Sequence, residues 1–291
     1  VKVAVQDEMP ALALTDLSNL HAAIKFYEAC LKKGIKPILG SVIRLNDAEH
    51  RATLLAMRNT GWRNLTEIVS RGFIAGQQLG IPCVKKDWVL EQAEDLIVLL
   101  GQHSDVGKML CSSNPQKAEP LLEAWIEKFG NQVYLALTRT ERVGEEDYIQ
   151  QAVKLAAKYQ LGVVAHNDVH FIEQDDFEAH EARVCIADGY VLGDDKRPKN
   201  YSTEQYFKTG EQMSELFSDI PSAIENTYQI AKRCNVALQL GTYFLPDFPI
   251  PDGYTIDTYF EHLSRTGLEE RLNHLYPIAE RDEDWTEIRQ P

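Results

Sequence analysis

Residues 163–170 read Val-Val-Ala-His-Asn-Asp-Val-His, the one dense cluster of metal-ligand side chain types in the sequence. On an extended strand, side chains alternate between faces. His166, Asp168 and His170 would then share one face, with neighbours roughly 6.6–6.8 Å apart. Asp168 and His170 can grip one ion from opposite sides at that spacing, while His166 and His170 are too far apart to share it. At the end of a barrel strand such a pair supports metal-assisted hydrolysis, in which the ion activates water. The competing reading is a hydrogen-bonded pair at a strand end that binds nothing.

Other chemistry-bearing residues point to structure. His180-Glu181 lacks the second His, four residues on, that a zinc-protease helix uses, so a solvated helix face is expected there. His103-Ser104-Asp105 follows a strand pattern, but no serine sits in Gly-x-Ser-x-Gly, and Ser104 is expected to cap a helix. Neither common phosphate-loop pattern occurs. Arg58, Arg63, Arg71, Lys85 and Lys86 are scattered and read as solvated cations. The 30 Lys and Arg face 44 Asp and Glu, a formal net charge of −14 that repels phosphate backbones. The cysteines (Cys30, Cys83, Cys111, Cys185 and Cys234) are odd in number and widely spaced, with no CxxC. That argues for a reducing, cytoplasmic setting and against a disulfide framework or a zinc ribbon. The longest apolar run, residues 96–100, is far short of the about 20 residues that span a bilayer, so no membrane partner is expected. Val1 opens on what reads as the middle of a helix, and a piece excised from a longer chain is expected.

The elements that must position these residues alternate in kind. Apolar strand runs are expected at 11–15, 35–43, 52–57, 96–100, 133–137 and 162–165. Helical patterns are expected at 20–31 (ending at Gly34), 62–73, 119–129 and 145–159. Strands apolar on both faces, alternating with helices, predict a parallel sheet closed or wrapped by helices. Beyond about residue 176 the pattern changes to helices at 178–187, 211–217 and 221–233, with a charged loop at 193–203. Residues 245–251 carry three prolines and must be extended; an amphipathic helix at 256–275 and an acidic tail follow.

Several motifs then occur in an order that carries a resemblance. They are Leu12-Ala13-Leu14-Thr15-Asp16, Gly34-Ile35-Lys36-Pro37-Ile38-Leu39-Gly40, Asn59-Thr60-Gly61-Trp62-Arg63-Asn64-Leu65 and Asn167-Asp168-Val169-His170-Phe171. Tyr206-Phe207-Lys208, Asn226-Thr227, Ile230-Ala231-Lys232-Arg233-Cys234 and Leu245-Pro246-Asp247-Phe248-Pro249 complete the set. The chain resembles, over essentially its whole length, the polymerase-and-histidinol-phosphatase (PHP) domain of bacterial DNA polymerase III alpha subunits, in the gammaproteobacterial form.

The resemblance implies an α/β fold, a distorted (β/α)7 barrel over residues 1–237 whose first strand lies before residue 1. Residues 238–291 would be an extended, helical lead-in toward the polymerase palm. It also implies a metal site at the C-terminal strand ends, most of it missing here. Asp16 stands, but Leu17 replaces a His, Val42 a Glu, and Arg51 and Thr140 further His ligands. Only Asp168 and His170 complete the set. Two ligands are too few for zinc, which takes four in structural sites and three plus water in catalytic ones. No metal, no cofactor and no catalytic residue are therefore expected in this piece, and Arg51 is expected to pair with Asp168.

The polymerase carboxylates and their Mg would lie beyond Pro291. Implied partners are the palm and thumb of the same chain, the proofreading exonuclease subunit and, through the parent, the sliding clamp, the clamp loader and DNA. The loop 193–201 and the helix 119–129 are the exposed docking expectations. The alternative is an active metal-dependent phosphoesterase or 3′–5′ exonuclease using Asp168 and His170. A free-standing phosphatase of the histidinol phosphatase kind is weaker still, because it would not need the segments 206–234 and 245–251.

Overall fold

The computed structural model describes residues 1–46, 49–243 and 245–277. Internal contacts divide the chain into a unit from Val1 to Leu238 and another from Gln239 to Pro291.

In the first unit α1 (Lys2–Gln6) leads into β1 (Ala11–Leu14), and α2 (Ala23–Lys33) leads into β2 (Lys36–Leu45). Gly34 ends α2 at φ 74, a left-handed conformation that glycine adopts without steric cost. Then come β3 (His50–Ala56), α3 (Asn59–Ala75), a small hairpin of β4 (Gln77–Gln78) and β5 (Ile81–Pro82), and α4 (Lys86–Glu91). The chain continues through β6 (Leu96–Leu100), α5 (Asp105–Leu110), α6 (Ala118–Phe129), β7 (Val133–Thr138), α7 (Glu145–Tyr159) and β8 (Gly162–His166). The helices α8 (Phe177–Asp188), α9 (Gly210–Leu216) and α10 (Pro221–Arg233) close the unit.

The main sheet is curled and has six strands in the order β1-β2-β3-β6-β7-β8. The fold is α/β as expected, but one feature of the expectation needs correction. The sheet is mixed, because β3 runs antiparallel to both β2 and β6. Only four residues separate β2 from β3, enough for a hairpin and too few for a parallel crossover. The described strands form a half-barrel with β1 and β8 at its edges, which leaves the expected count of seven units unconfirmed.

Both faces of the sheet are covered, which is why its central strands are apolar throughout. Every residue of β6 is buried. On one face Leu65 and Ile68 of α3, Trp125 of α6 and Tyr148 of α7 share a core with Leu54, Leu96 and Leu135. On the other, Ile38, Leu55, Ile97 and Val164 pack with Ile230 and Cys234. Each such Leu or Ile contributes about 1.5–3 kcal/mol by leaving water. Gly61 allows α3 to approach the turn before β6: a Cβ there would meet the Asp95 carbonyl oxygen at 2.0 Å.

In the second unit, residues 245–251 form no regular element, as their prolines require. Thr255 opens α11 (Ile256–Leu275) with a reciprocal capping box to Thr258. The acidic tail expected after Pro277 lies outside the described residues. No described helix is long and apolar enough to cross a membrane.

Candidate functional site

Three parallel strands, β6, β7 and β8, end together, and the loops that leave them carry His103, Thr140, Arg142, Asp168 and His170. β8 itself stops at His166, so residues 167–170 are loop. The alternation that would put His166, Asp168 and His170 on one strand face therefore does not apply. Loop conformation, not strand pleating, brings Asp168 and His170 together.

Asp168 is the centre of the cluster. Arg142 Nη1 lies 3.0 Å from its Oδ2. Gln205 Nε2 donates to the same oxygen at 3.0 Å and to the Asp168 backbone carbonyl at 3.2 Å. His170 Nε2 is 3.6 Å from Oδ1, longer than a hydrogen bond. Burial works to raise the Asp168 carboxyl pKa, but His170, His166 and Arg142 outweigh it and hold the group well below the usual carboxylate range. Among the described residues the arginine on Asp168 is Arg142, not the expected Arg51. Arg51 sits exposed on β3, directly across from Arg44.

Arg142 is itself held from behind. Glu145, in the first turn of α7 and only 4% exposed, accepts from Arg142 Nε at 3.2 Å. It also accepts from the Thr140 amide and the Thr140 hydroxyl, both at 2.6 Å. A carboxylate in the first turn is favoured by the unsatisfied N–H groups and the dipole of the helix. Thr140 is fully buried, Arg142 Nε donates to its hydroxyl at 2.9 Å, and its carbonyl accepts from Ser202 Oγ. The segment 201–206 thus lies across the ends of β7 and β8. Its hold is completed by Asn167 Nδ2 donating to the Tyr206 carbonyl at 2.6 Å and by the His170 amide donating to Gln205 O at 2.9 Å.

The other expected positions lie along β1, β2 and β3. Leu17 and Val42 form a parallel bridge, and Ser41 Oγ donates to the Asp16 carbonyl at 2.8 Å. No recorded contact among the described residues joins Asp16 to Asp168 or His170. His180, expected on a solvated face, is instead buried. Its ring lies 5.2 Å from His170 and 4.6 Å from Tyr201, and Arg183 contacts its Nδ1 at 3.2 Å. Burial pushes the imidazole pKa of His103, His166 and His180 down in each case.

Ser104 does cap α5, accepting from the Gly107 amide at 2.9 Å. Lys86, expected in water, is mostly buried, 2.7 Å from Asp105 and over the Trp125 ring. Arg142, Glu145, Gln205 and Tyr201 are the cluster members that sequence reasoning missed. Glu145 was legible as a helix-start acid, but nothing local marks Gln205 or Tyr201. No three His, Cys, Asp or Glu side chains converge on a possible metal position among the described residues.

Residues 1–140 match the family model of the PHP domain. Over 275 residues the chain is 50% identical to the DNA polymerase III subunit alpha of Pseudomonas aeruginosa, covering 92% of this chain and 23% of that one. It is 46% identical to that subunit from Vibrio cholerae and from Escherichia coli K12, covering 96% of this chain and 25% of each relative. The chain belongs to the family of PHP-bearing DNA polymerase III alpha subunits. It spans about a quarter of the length of these curated relatives. A solved structure described as a candidate metal-dependent phosphoesterase from Bifidobacterium adolescentis aligns with a TM-score of 0.38 at 12% identity, over 58% of this chain and 80% of that one. That likeness is too slight to argue from. The alpha-subunit relationship accounts for the motif order from Leu12 to Pro249, while the bonding around Asp168 is read from this chain alone.

Proposed function

We propose that this PHP domain is a catalytically silent scaffold within a cytoplasmic replicative DNA polymerase, carrying the docking surface for a proofreading exonuclease subunit. Template-directed DNA synthesis, with its Mg ions, belongs on this reading to the palm of the parent chain. The single observation that carries the reading is the Arg142 guanidinium on Asp168. An arginine supplied by the same chain neutralises the carboxylate that a hydrolytic metal would need. Arg142 is in turn fixed by buried Glu145, so removing it from the site would leave a buried carboxylate uncompensated. Leu17 and Val42 offer no donor atoms, and Arg51 adds a fixed positive charge. The donor set does not fit a divalent ion, and no catalytic step is routed through one.

The test is elemental mass spectrometry on the full-length natural subunit, followed by an assay for hydrolysis of DNA ends. The expected result is no stoichiometric zinc or manganese and no PHP-dependent hydrolysis. About one bound ion per chain, lost on Asp168→Asn, would reinstate the active phosphoesterase reading. Docking is tested separately, by binding of the purified exonuclease subunit to the alpha subunit with and without residues 1–291.

A further inference from the structure

β2 and β3 place Arg44 and Arg51 directly opposite each other at the strand-end rim. Residues so paired have Cβ atoms about 4.5–5.5 Å apart, and like charges at that spacing destabilise the sheet. Side-chain alternation puts both on the face of Ile38, Leu55 and Val164, the face on which His166 ends β8. Arg44 is half-buried and Arg51 is exposed. Neither guanidinium has a hydrogen bond or ion pair among the described residues.

The surroundings do not relieve the repulsion. The Arg51 amide donates to the His103 carbonyl at 2.8 Å, which fixes the start of β3 against the loop after β6. Burial lowers the His103 imidazole pKa, and Arg142, Arg51 and Lys108 add to that effect against Asp168. Cations from β3, α5 and the loop after β7 therefore crowd one ring. The carboxylates beside them are already paired, Asp168 and Glu145 with Arg142 and Glu49 with Lys108 at 2.9 Å. Burial also lowers the Arg44 pKa, and Arg51 adds to it. In a chain of net charge −14, two facing guanidinium groups without a carboxylate are the complement of an anion.

We propose that Arg44 and Arg51 clamp one small tetrahedral oxyanion, a phosphate group held without a metal and without hydrolysis. Each guanidinium presents parallel N–H donors that bind two oxygens at once. One such fork fills a carboxylate, whereas a dianionic phosphate accepts from both. The overall charge repels a nucleic-acid strand, so the ligand is free phosphate or the phosphate of a mononucleotide. Bound there, the anion offsets the cross-strand repulsion and ties β2 to β3. This clamp rests on the metal-free reading of the rim, and the two fail under different results.

The probe is radiolabelled inorganic phosphate, measured by equilibrium dialysis against the full-length natural subunit in EDTA. Submillimolar binding is expected, weakened at least about tenfold in Arg44→Gln and in Arg51→Gln. Arg63→Gln, on the exposed surface of α3, should leave the affinity unchanged. With chloride as the only anion, Arg51→Gln should raise the denaturation midpoint, because the repulsion is gone. In phosphate that gain should disappear. Displacement of the label by dAMP assigns the clamp to a mononucleotide, and its failure assigns the clamp to free phosphate; either supports the shared chemistry. No binding in EDTA, or unchanged affinity in both folded arginine variants, overturns the proposal and leaves the scaffold reading standing. Binding that appears only with added zinc or manganese overturns both, because the phosphate would then sit on a metal.

Discussion

Two sides of the strand-end rim can be set against each other. Along β1, β2 and β3, the positions at issue are Asp16, Leu17, Val42 and Arg51: a backbone bridge joins Leu17 to Val42, the Asp16 carbonyl accepts from the Ser41 hydroxyl, and Arg51 lies opposite Arg44 on β2. At the ends of β7 and β8 they are Thr140, Asp168 and His170, tied through Arg142, Glu145 and Gln205 by charged side-chain bonds. The first side is held by main chain and apolar contact, so side-chain changes there remove little. The second is a polar circuit buried at Thr140, Glu145 and Gln205, where losing Glu145 strands its partners without water. The rim teaches that a retained carboxylate is not a retained metal site: what faces Asp168 decides its role, and here that is a guanidinium.

The comparison breaks most sharply at Glu145. Glu145→Ala removes the acceptor for the Thr140 amide, the Thr140 hydroxyl and Arg142. A loss of about 2–4 kcal/mol is expected by urea denaturation, because the buried Thr140 amide and hydroxyl lose their acceptor, at about 1–3 kcal/mol each, while Arg142 keeps Asp168. A loss under about 1 kcal/mol would mean that the circuit is not what holds this side.

Val42→Asp tests the other side. It sets a carboxylate against Leu17 in a half-buried position and should cost about 1–2 kcal/mol in the same assay. A cost equal to that of Glu145→Ala would erase the contrast between the two sides.

Asp168→Asn should cost less, about 1 kcal/mol at neutral pH, since 34% of the side chain remains in water. Its signature is in the pH dependence. The folded pKa lies below that of the unfolded carboxylate, so its contribution is fully present above about pH 4 and falls away as pH drops toward the folded value. The variant should therefore lose part of the acid slope of stability below about pH 4, and an unchanged slope would remove Asp168 from the account.

The smallest effect belongs to the exposed face of α3. Ile74→Asp should change stability by less than about 0.5 kcal/mol, read as an unchanged denaturation midpoint, because Ile74 packs little of its surface.

Much of the fold was legible in the residues. Glu145–Tyr159 and Leu96–Leu100 are where helical periodicity and an unbroken apolar run put them, and Gly34 ends α2 as its conformational freedom requires. Local pattern carries such elements because their burial and their hydrogen bonds are set by residues a few positions apart. The direction of β3 was readable from the eight residues between the expected strands 35–43 and 52–57, already too few for a parallel crossover, but the alternating rhythm obscured it. Within the cluster, sequence placed Asp168 and His170 as neighbours and could do no more. Gln205 lies 37 residues from Asp168, and Arg142 lies 26 residues from it, without any spacing rule to connect them. Those contacts, the burial of His180 and the choice of Arg142 over Arg51 were decided only in three dimensions. Packing three strand ends and the segment 201–206 together fixes which charges meet, and Coulomb and desolvation terms depend on that meeting and not on order along the chain.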